Sequence, residues 1–489
     1  MHYPIDAQTG LQQRPPAARF PVGPSTIDEI FLTADPTSLA LVDGGRSFTY
    51  DELERETAAV AAGLTARGVL PGDRVAWSRP NDAEVVLGFI ATVRAGAIWV
   101  GLNPRLTTTE TNTLLRDCDP TLVLGPDAEL PRSSPGASSR SVPSAPAAIG
   151  YTSGTTGRPK GAVHTHQQLL YPAAASIATE TALVNEVVGT PLPLTTLNLM
   201  LLSPLTAFAR GSTAAIMTST DGRSFAAEVA RHQVTRTLLV PTLLHDLLTT
   251  EPDTFDRVTT LRTVLIGGAG ARPGLRTQAK QLLGIDPIGS YGLSEAPTGV
   301  ARTNEIGIGA EALPGIEIAV GDDGEILLST SGHGEWAHCW APTLGYWRQP
   351  EATANLYRSG ALHTGDVGHL DSHNRLTLVG RAGDMINRGG ANVAPVEVER
   401  ALLGHRSVAD AVVVAVADER LGQIVAAAIV LQTDDANLDK DTILNEIVAS
   451  ARDKLAGYKV PAITKVVDAL PRTAAGKVDR KAAAAMFDA

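Results

Sequence analysis

Apolar and polar positions follow two different periods along the 489-residue chain. In TYDELERETAAVAAGLTARG, Leu53, Thr57, Val60 and Leu64 recur at three- and four-residue spacing, which predicts an amphipathic helix. Thr49 and Glu52 have capping-box spacing at its start, and Gly68 suits the left-handed position after its end. PGDRVAW then reads as a turn into a strand. Continuous apolar runs lack the helical period: LRTVLIGGAG (261–270) predicts a short buried strand ending in glycines, and AVVVAVA (411–417) and IVAAAIVL (424–431) predict two more. VAPVEVERALLG, ahead of these two, predicts a helix. Helical and strand-like stretches alternate, which favours α/β layers, and no repeat of solenoid period interrupts them. A strand ending in glycines places a permissive loop at its carboxyl end, where open α/β sheets bind ligands.

Length alone suggests about three compact units. The pattern changes near GRAGDMINRGG (380–390), where two glycine clusters bracket a short segment. The predicted fold is α/β, with a large N-terminal domain of layered sheets and helices over residues 1–382. A small, mobile C-terminal α+β domain is expected over 383–489.

Composition narrows the function. Hydrophobic residues make up 44% and charged residues 19%, a globular balance. The net charge of −11 argues against a nucleic-acid partner, because phosphate backbones require clustered Lys and Arg. Two cysteines, Cys118 and Cys339, exclude a disulfide framework, and no Cys/His spacing suggests zinc. The start, MHYPIDAQTGLQQ, lacks a basic stretch followed by an apolar one, and the longest apolar runs are strand-sized. No membrane span and a cytoplasmic location are expected.

The stretch YTSGTTGRPKG (151–161) raises the chemical question. Its glycines admit a ligand close to the backbone, its amides and hydroxyls can donate to phosphate oxygens, and Lys160 adds positive charge. The spacing is not that of the common P-loop. A surface linker is the plain alternative, and the preceding PRSSPGASSRSVPSAP is linker-like. Four further stretches matter. GSYGLSEAP (289–297) carries Tyr291, Ser294 and Glu295. HTGDVGHLD (363–371) puts Asp366 in a glycine-flanked turn. GRAGD (380–384) holds Arg381, and PRTAAGKVDRK (471–481) holds Lys477. Singly, each has an ordinary reading as a core, turn or solvated surface residue. GLSEA is not a hydrolase nucleophile elbow, because Ala296 replaces the last glycine.

In this order, the five stretches resemble those of the acyl-adenylating (ANL) superfamily: acyl-CoA synthetases, peptide-synthetase adenylation domains and beetle luciferases. The resemblance runs from TYDEL to the end. It implies an acid–CoA ligase that uses ATP, Mg²⁺ and CoA. A carboxylic acid is first activated as acyl-AMP with release of pyrophosphate, and the acyl group then passes to the CoA thiol. By resemblance, Thr152, Ser153, Gly154, Thr155, Thr156, Gly157 and Lys160 surround the β- and γ-phosphates. Gly268, Ala269, Tyr291 and Gly292 take the adenine. Asp366 takes the ribose hydroxyls, assisted by Arg381. Glu295 holds Mg²⁺, with Ser294 beside it, and Lys477 reaches the substrate carboxylate and the α-phosphate. Gly383 is the hinge, and Gly389 and Gly390 line a tunnel for the thiol arm of CoA.

The sequence departs from the family at three places. Gly383 replaces the usual acid or lysine of the hinge. Ala361 replaces the aromatic before TGD, and Thr195 and Thr196 replace the aromatic and histidine of a PLFH element. The expected acyl pocket includes Thr195, Thr196, Val240, Gly267, Leu293 and Thr298. It has no charged group to pair with an amino acid's amine, which predicts a hydrophobic monocarboxylic acid: fatty, aryl or polycyclic. LAGYKVPA (455–462) favours CoA as acceptor over a carrier-protein phosphopantetheine. A stand-alone enzyme that loads a carrier protein is the alternative. A non-catalytic acyl- or nucleotide-binding relative is a third reading.

Overall fold

The computed structural model describes residues 3–32, 34–134, 141–152, 159–181, 183–249, 252–267, 274–303, 308–432, 439–473 and 478–487. Local signals act where expected. The helix Tyr50–Ala66 opens on a reciprocal capping box between Thr49 and Glu52 and buries Leu53, Thr57, Val60 and Leu64. Gly68, at φ +87°, ends it, and Gly72, at φ +86°, turns the chain into the strand Arg74–Trp77. The run at 261–270 gives the strand Thr263–Gly267, and its last three residues lie outside the described ones.

Four sheets result. A five-stranded sheet runs Leu122–Leu124, Arg74–Trp77, Ile98–Gly101, Pro146–Thr152 and Lys160–Thr165, parallel except for the last pair. A nine-stranded sheet has a parallel centre that includes Val187–Thr190, Arg236–Leu239, Thr263–Gly267 and Ile288–Leu293. A four-stranded antiparallel sheet contains Leu362–Leu370 paired with Leu376–Arg381. The last sheet pairs the long strands Val408–Asp418 and Gly422–Leu431, with the helices Pro395–Leu403 and Lys440–Arg452 contributing to its core.

Aliphatic and aromatic side chains knit the first three sheets together. Trp99 packs edge-on against Phe89, with ring centres 5.1 Å apart. Two hydrophobic clusters draw every member from residue 386 onward, around Val413, Ala427 and Ile447 and around Val412, Ala428 and Leu470. Cys118 and Cys339 are both buried and unpaired, and burial pushes the Cys118 thiol up to about 12. No helix among the described residues is long and apolar enough to cross a membrane.

One local expectation is corrected. Asp366 is not in a turn but inside the strand Leu362–Leu370, opposite Arg381. Gly365, at φ +69°, distorts the strand without ending it, so a glycine that looked like punctuation serves as an irregularity within a ladder.

Candidate active site

The strand Lys160–Thr165 is the spine of the site. On one edge it pairs with Pro146–Thr152, setting Thr152 opposite Lys160 and Tyr151 opposite Gly161. A side chain at Gly161 would come within 2.7 Å of Ile149, so the close crossing requires glycine. The pair brackets the phosphate-loop candidates Ser153, Gly154, Thr155, Thr156 and Gly157, which lie outside the described residues, as does the Thr152 side chain.

On its other edge the spine takes up the segment Thr343–Trp347. Leu344 N–H donates to Val163 at 2.8 Å, Val163 N–H to Gly345 at 2.9 Å, and Trp347 N–H to Gly161 at 2.8 Å. The Gln349 side chain caps the Pro159 carbonyl at 2.8 Å. This segment delivers Tyr346, whose hydroxyl donates to Glu295 Oε1 at 2.7 Å. The Lys160 ammonium lies 5.2 Å from the centre of the same ring.

The turn that carries Ser294 and Glu295 is held from two sides. Thr343 N–H donates to the Glu295 carbonyl at 2.7 Å, and His164 Nε2 donates to the Ser294 carbonyl at 2.7 Å. Burial pushes His164 down to about 4, so its ring is neutral at ordinary pH and acts as a fixed donor.

A second cluster forms around Asp366. Its Oδ2 accepts from the Tyr291 hydroxyl at 2.8 Å, and its Oδ1 faces Arg381 Nε at 2.8 Å. Burial holds the Asp366 carboxyl above the usual carboxylate range, and Arg381 and Tyr291 oppose that shift. Each oxygen retains a second acceptor position. Glu325 fixes the backbone beneath by accepting from Gly365 N–H at 2.9 Å and His363 Nδ1 at 2.7 Å.

Val240, Gly267 and Leu293 sit at the carboxyl ends of parallel strands, and Thr298 lies in the antiparallel strand Ala296–Thr303. Gly267 ends its strand opposite Ser290, beside Tyr291. Val240 precedes the helix Pro241–Leu248, and Leu293 is buried past a slip in strand register at the exposed Gly292. Thr195 is buried, and its hydroxyl has no hydrogen-bond partner among the described residues. Thr196 opens the short helix Leu197–Met200 without capping it through its side chain. Gly268, Ala269 and the Thr298 side chain lie outside the described residues.

The C-terminal candidates are partly described. Gly383 sits in a single 3₁₀ turn, Ala382–Asp384, where a methyl group would meet no described atom within 4 Å. Gly389 and Gly390, at φ +58° and +88°, form the two-residue link between the strands Ile386–Arg388 and Ala391–Val393. That hairpin geometry by itself favours glycine at both positions. Lys477 lies outside the described residues. The chain on either side of it is closed by a bridge between Arg472 and Val478 and by Asp479 N–H on the Pro471 carbonyl at 2.9 Å. Arg480 anchors the far side, bonding the Glu399 carboxylate at 2.5 and 3.0 Å and approaching Asp384 at 3.4 Å.

Three contributors escaped the sequence reading: Tyr346, His164 and Glu325. His164 follows the phosphate stretch in KGAVHTH and was within reach of it. Tyr346 in LGYWRQPEAT and Glu325 in DDGEILL look like ordinary core and turn residues.

Residues 31–138 and 126–336 match the AMP-binding enzyme family, and residues 397–477 match the AMP-binding enzyme C-terminal domain. The chain belongs to this family. Among the relatives of this AMP-binding enzyme is a feruloyl-CoA synthase from Amycolatopsis sp., 32% identical over 91% of this chain and 94% of the relative. Its fold is similar to that of an o-succinylbenzoate CoA synthetase from Bacillus subtilis solved with its acyl-adenylate intermediate. There the TM-score is 0.80 and the identity 26%, over 94% of this chain and 97% of that one. An ATP-bound RpMatB–BxBclM chimera gives a TM-score of 0.84 at 25% identity, over 95% and 99% of the two chains. The expected ANL membership and α/β fold are therefore borne out.

Proposed function

We propose that this enzyme is an ATP-dependent acid–CoA ligase that activates a hydrophobic monocarboxylic acid as acyl-AMP and passes the acyl group to CoA. Family membership supports the reaction class. The observation that supports the residue roles is the meeting of Lys160 and Glu295 on one tyrosine ring, beside the strand pair that sets Thr152 opposite Lys160.

The chemistry follows from charge. A carboxylate is a poor acyl donor because its leaving group would be oxide. Attack of its oxygen on the α-phosphorus expels pyrophosphate and leaves a mixed anhydride with a good leaving group. Two anions must approach, so the site supplies positive charge and orientation. In this reading Lys160, Thr152, Ser153, Thr155 and Thr156 hold the outgoing phosphates. Tyr291 and the Gly268–Ala269 backbone flank adenine, and Asp366 with Arg381 holds the ribose. Lys477 then steadies the charge that builds between carboxylate and α-phosphate. The thiol of CoA later attacks the acyl carbon and expels AMP, with Gly389 and Gly390 beside its arm.

A lone oxygen donor suits Mg²⁺, which fills most of its octahedron with water and phosphate oxygens. No group of three or more metal-ligating side chains occurs among the described residues, so Glu295 fits an ion carried in with the nucleotide better than a resident metal. When bound, Mg²⁺ would neutralise phosphate charge. We place the domain division at 382/383, with Gly383 as pivot, and the enzyme in the cytoplasm.

The test is a panel of fatty, aryl and polycyclic acids, with amino acids as controls. Pyrophosphate release is followed alone, with CoA, and with a phosphopantetheinylated carrier protein. Release with hydrophobic acids and thioester on CoA is expected. Preference for amino acids overturns the pocket reading, thioester only on the carrier overturns the acceptor, and no release with any acid overturns catalysis.

A further inference from the structure

Tyr346 is fixed more firmly than a core aromatic requires. It is buried, its backbone bridges to Ala162 of the spine strand, and its own N–H donates to the Thr353 hydroxyl at 2.8 Å. The preceding Gly345 has φ +126°, and a side chain there would come within 2.4 Å of Thr353. The backbone is locked on both sides, leaving the ring two torsions. Those torsions place its edge on Glu295 and its face beneath Lys160.

We propose that Tyr346 is a positioning residue for adenylation: its hydroxyl aims the Glu295 carboxylate, and its ring face holds the Lys160 ammonium. The Glu295 carboxylate is thereby held in one orientation. The inference rests on the roles proposed above for Glu295 and Lys160.

An aromatic face attracts an ammonium through its quadrupole, and the Lys160 ammonium lies 5.2 Å from the ring centre. The phenol proton occupies one carboxylate oxygen, Oε1, and Oε2 would be the oxygen available to a bound Mg²⁺.

Two substitutions separate the two functions of the ring. Tyr346→Phe removes the hydroxyl and retains the ring, whereas Tyr346→Leu removes both. Binding of ATP is measured by calorimetry without acid, so no turnover occurs, once with Mg²⁺ and once with a chelator. The Mg²⁺ dependence of acid-dependent pyrophosphate exchange is measured alongside. For Tyr346→Phe, the Mg²⁺ concentration giving half-maximal exchange should rise about tenfold or more, the usual weight of a hydrogen bond to a charged group. Chelated ATP binding, the KM for the acid and the melting temperature should stay at the parent values. Tyr346→Leu should also weaken chelated ATP binding.

Glu295→Gln is run in parallel. If it too leaves the Mg²⁺ dependence at the parent value, the role of Glu295 fails and this inference falls with it. If Glu295→Gln shifts that dependence and Tyr346→Phe does not, the tyrosine inference alone is overturned. Adding Tyr346→Phe to Glu295→Gln should produce no further shift, because the two act through one oxygen; full additivity would overturn the inference.

Discussion

Gly383→Pro tests whether the enzyme turns between its two half-reactions. On one side of the proposed pivot Arg381 is tied to Asp366 at 2.8 Å, and on the other Asp384 stands 3.4 Å from Arg480. Only Ala382 and Gly383 lie between these anchors, so a rotation that keeps both contacts concentrates in two residues. In the observed state they form a 3₁₀ turn closed by Met385 N–H on the Ala382 carbonyl at 3.4 Å, and no described hydrogen bond uses the Gly383 N–H. Proline's φ near −65° matches such a turn, opposed only by its bias on Ala382. Any state that needs another φ at 383 is raised by about 3 kcal/mol or more, a hundredfold or more in population. We propose that the observed state is the adenylating one. The positive charge of Arg472, at the base of the bracket around 474–477, acts on Asp246 in the helix that follows Val240, against the burial that raises that carboxyl. Acid-dependent pyrophosphate exchange should therefore remain within about tenfold of the parent, while conversion of supplied acyl-AMP to acyl-CoA drops about a hundredfold. Gly383→Ala, whose methyl group meets open space, should leave both rates near the parent. Normal rates for both half-reactions in the proline variant would show that 383 is not the pivot. The reverse split would show that the observed state is the thioester-forming one.

Other expectations are independent of the hinge. Lys477→Ala should slow adenylation on the order of a hundred- to thousandfold, the weight of one positioned transition-state donor, and spare the thiol step; equal loss in both would refute its role. His164 and His166 are both pushed down to about 4 by burial. Between about pH 6.5 and 4 the unfolded chain binds protons that the folded chain refuses. Stability should thus be complete above that window and fall as pH drops through it, by on the order of 3 kcal/mol per histidine. Urea midpoints at pH 7 and 5 check this, and a flat profile would contradict it. Arg210→Met should lower stability by about 3–5 kcal/mol in urea titration, because it leaves the Glu186 carboxylate, now 2.7 Å from the guanidinium, buried and unpaired.

The legible parts of this chain are those whose physics is local. The Thr49–Glu52 box, the stops at Gly68 and Gly72 and the paired strands at 408–418 and 422–431 depend on neighbours in sequence. Asp366 was found as a residue but misplaced in a turn, because a glycine inside a strand resembles one between strands until the partner strand is known. Tyr346 was missed for a stronger reason. It stands 51 residues from the carboxylate it touches, and it reaches that carboxylate only because the segment after Thr343 adds to the edge of the spine strand. Nothing in LGYWRQ announces an edge. That the Thr195 hydroxyl has no partner among the described residues is likewise a property of three-dimensional neighbours.

The two buried cysteines have a practical consequence. A thiolate is the reactive form, and Cys118 is both sealed in and held protonated, while Cys339 is 3% exposed. A disulfide reagent that counts free CoA should therefore record the substrate and almost nothing of the native enzyme, so thioester formation can be followed directly by thiol titration. For the same reason the chain already suits site-specific labelling. A pair of cysteines introduced on the surface, one before Arg381 and one after Asp384, would take up dyes with little competition from within, and the distance between the dyes would report on the turn in single molecules.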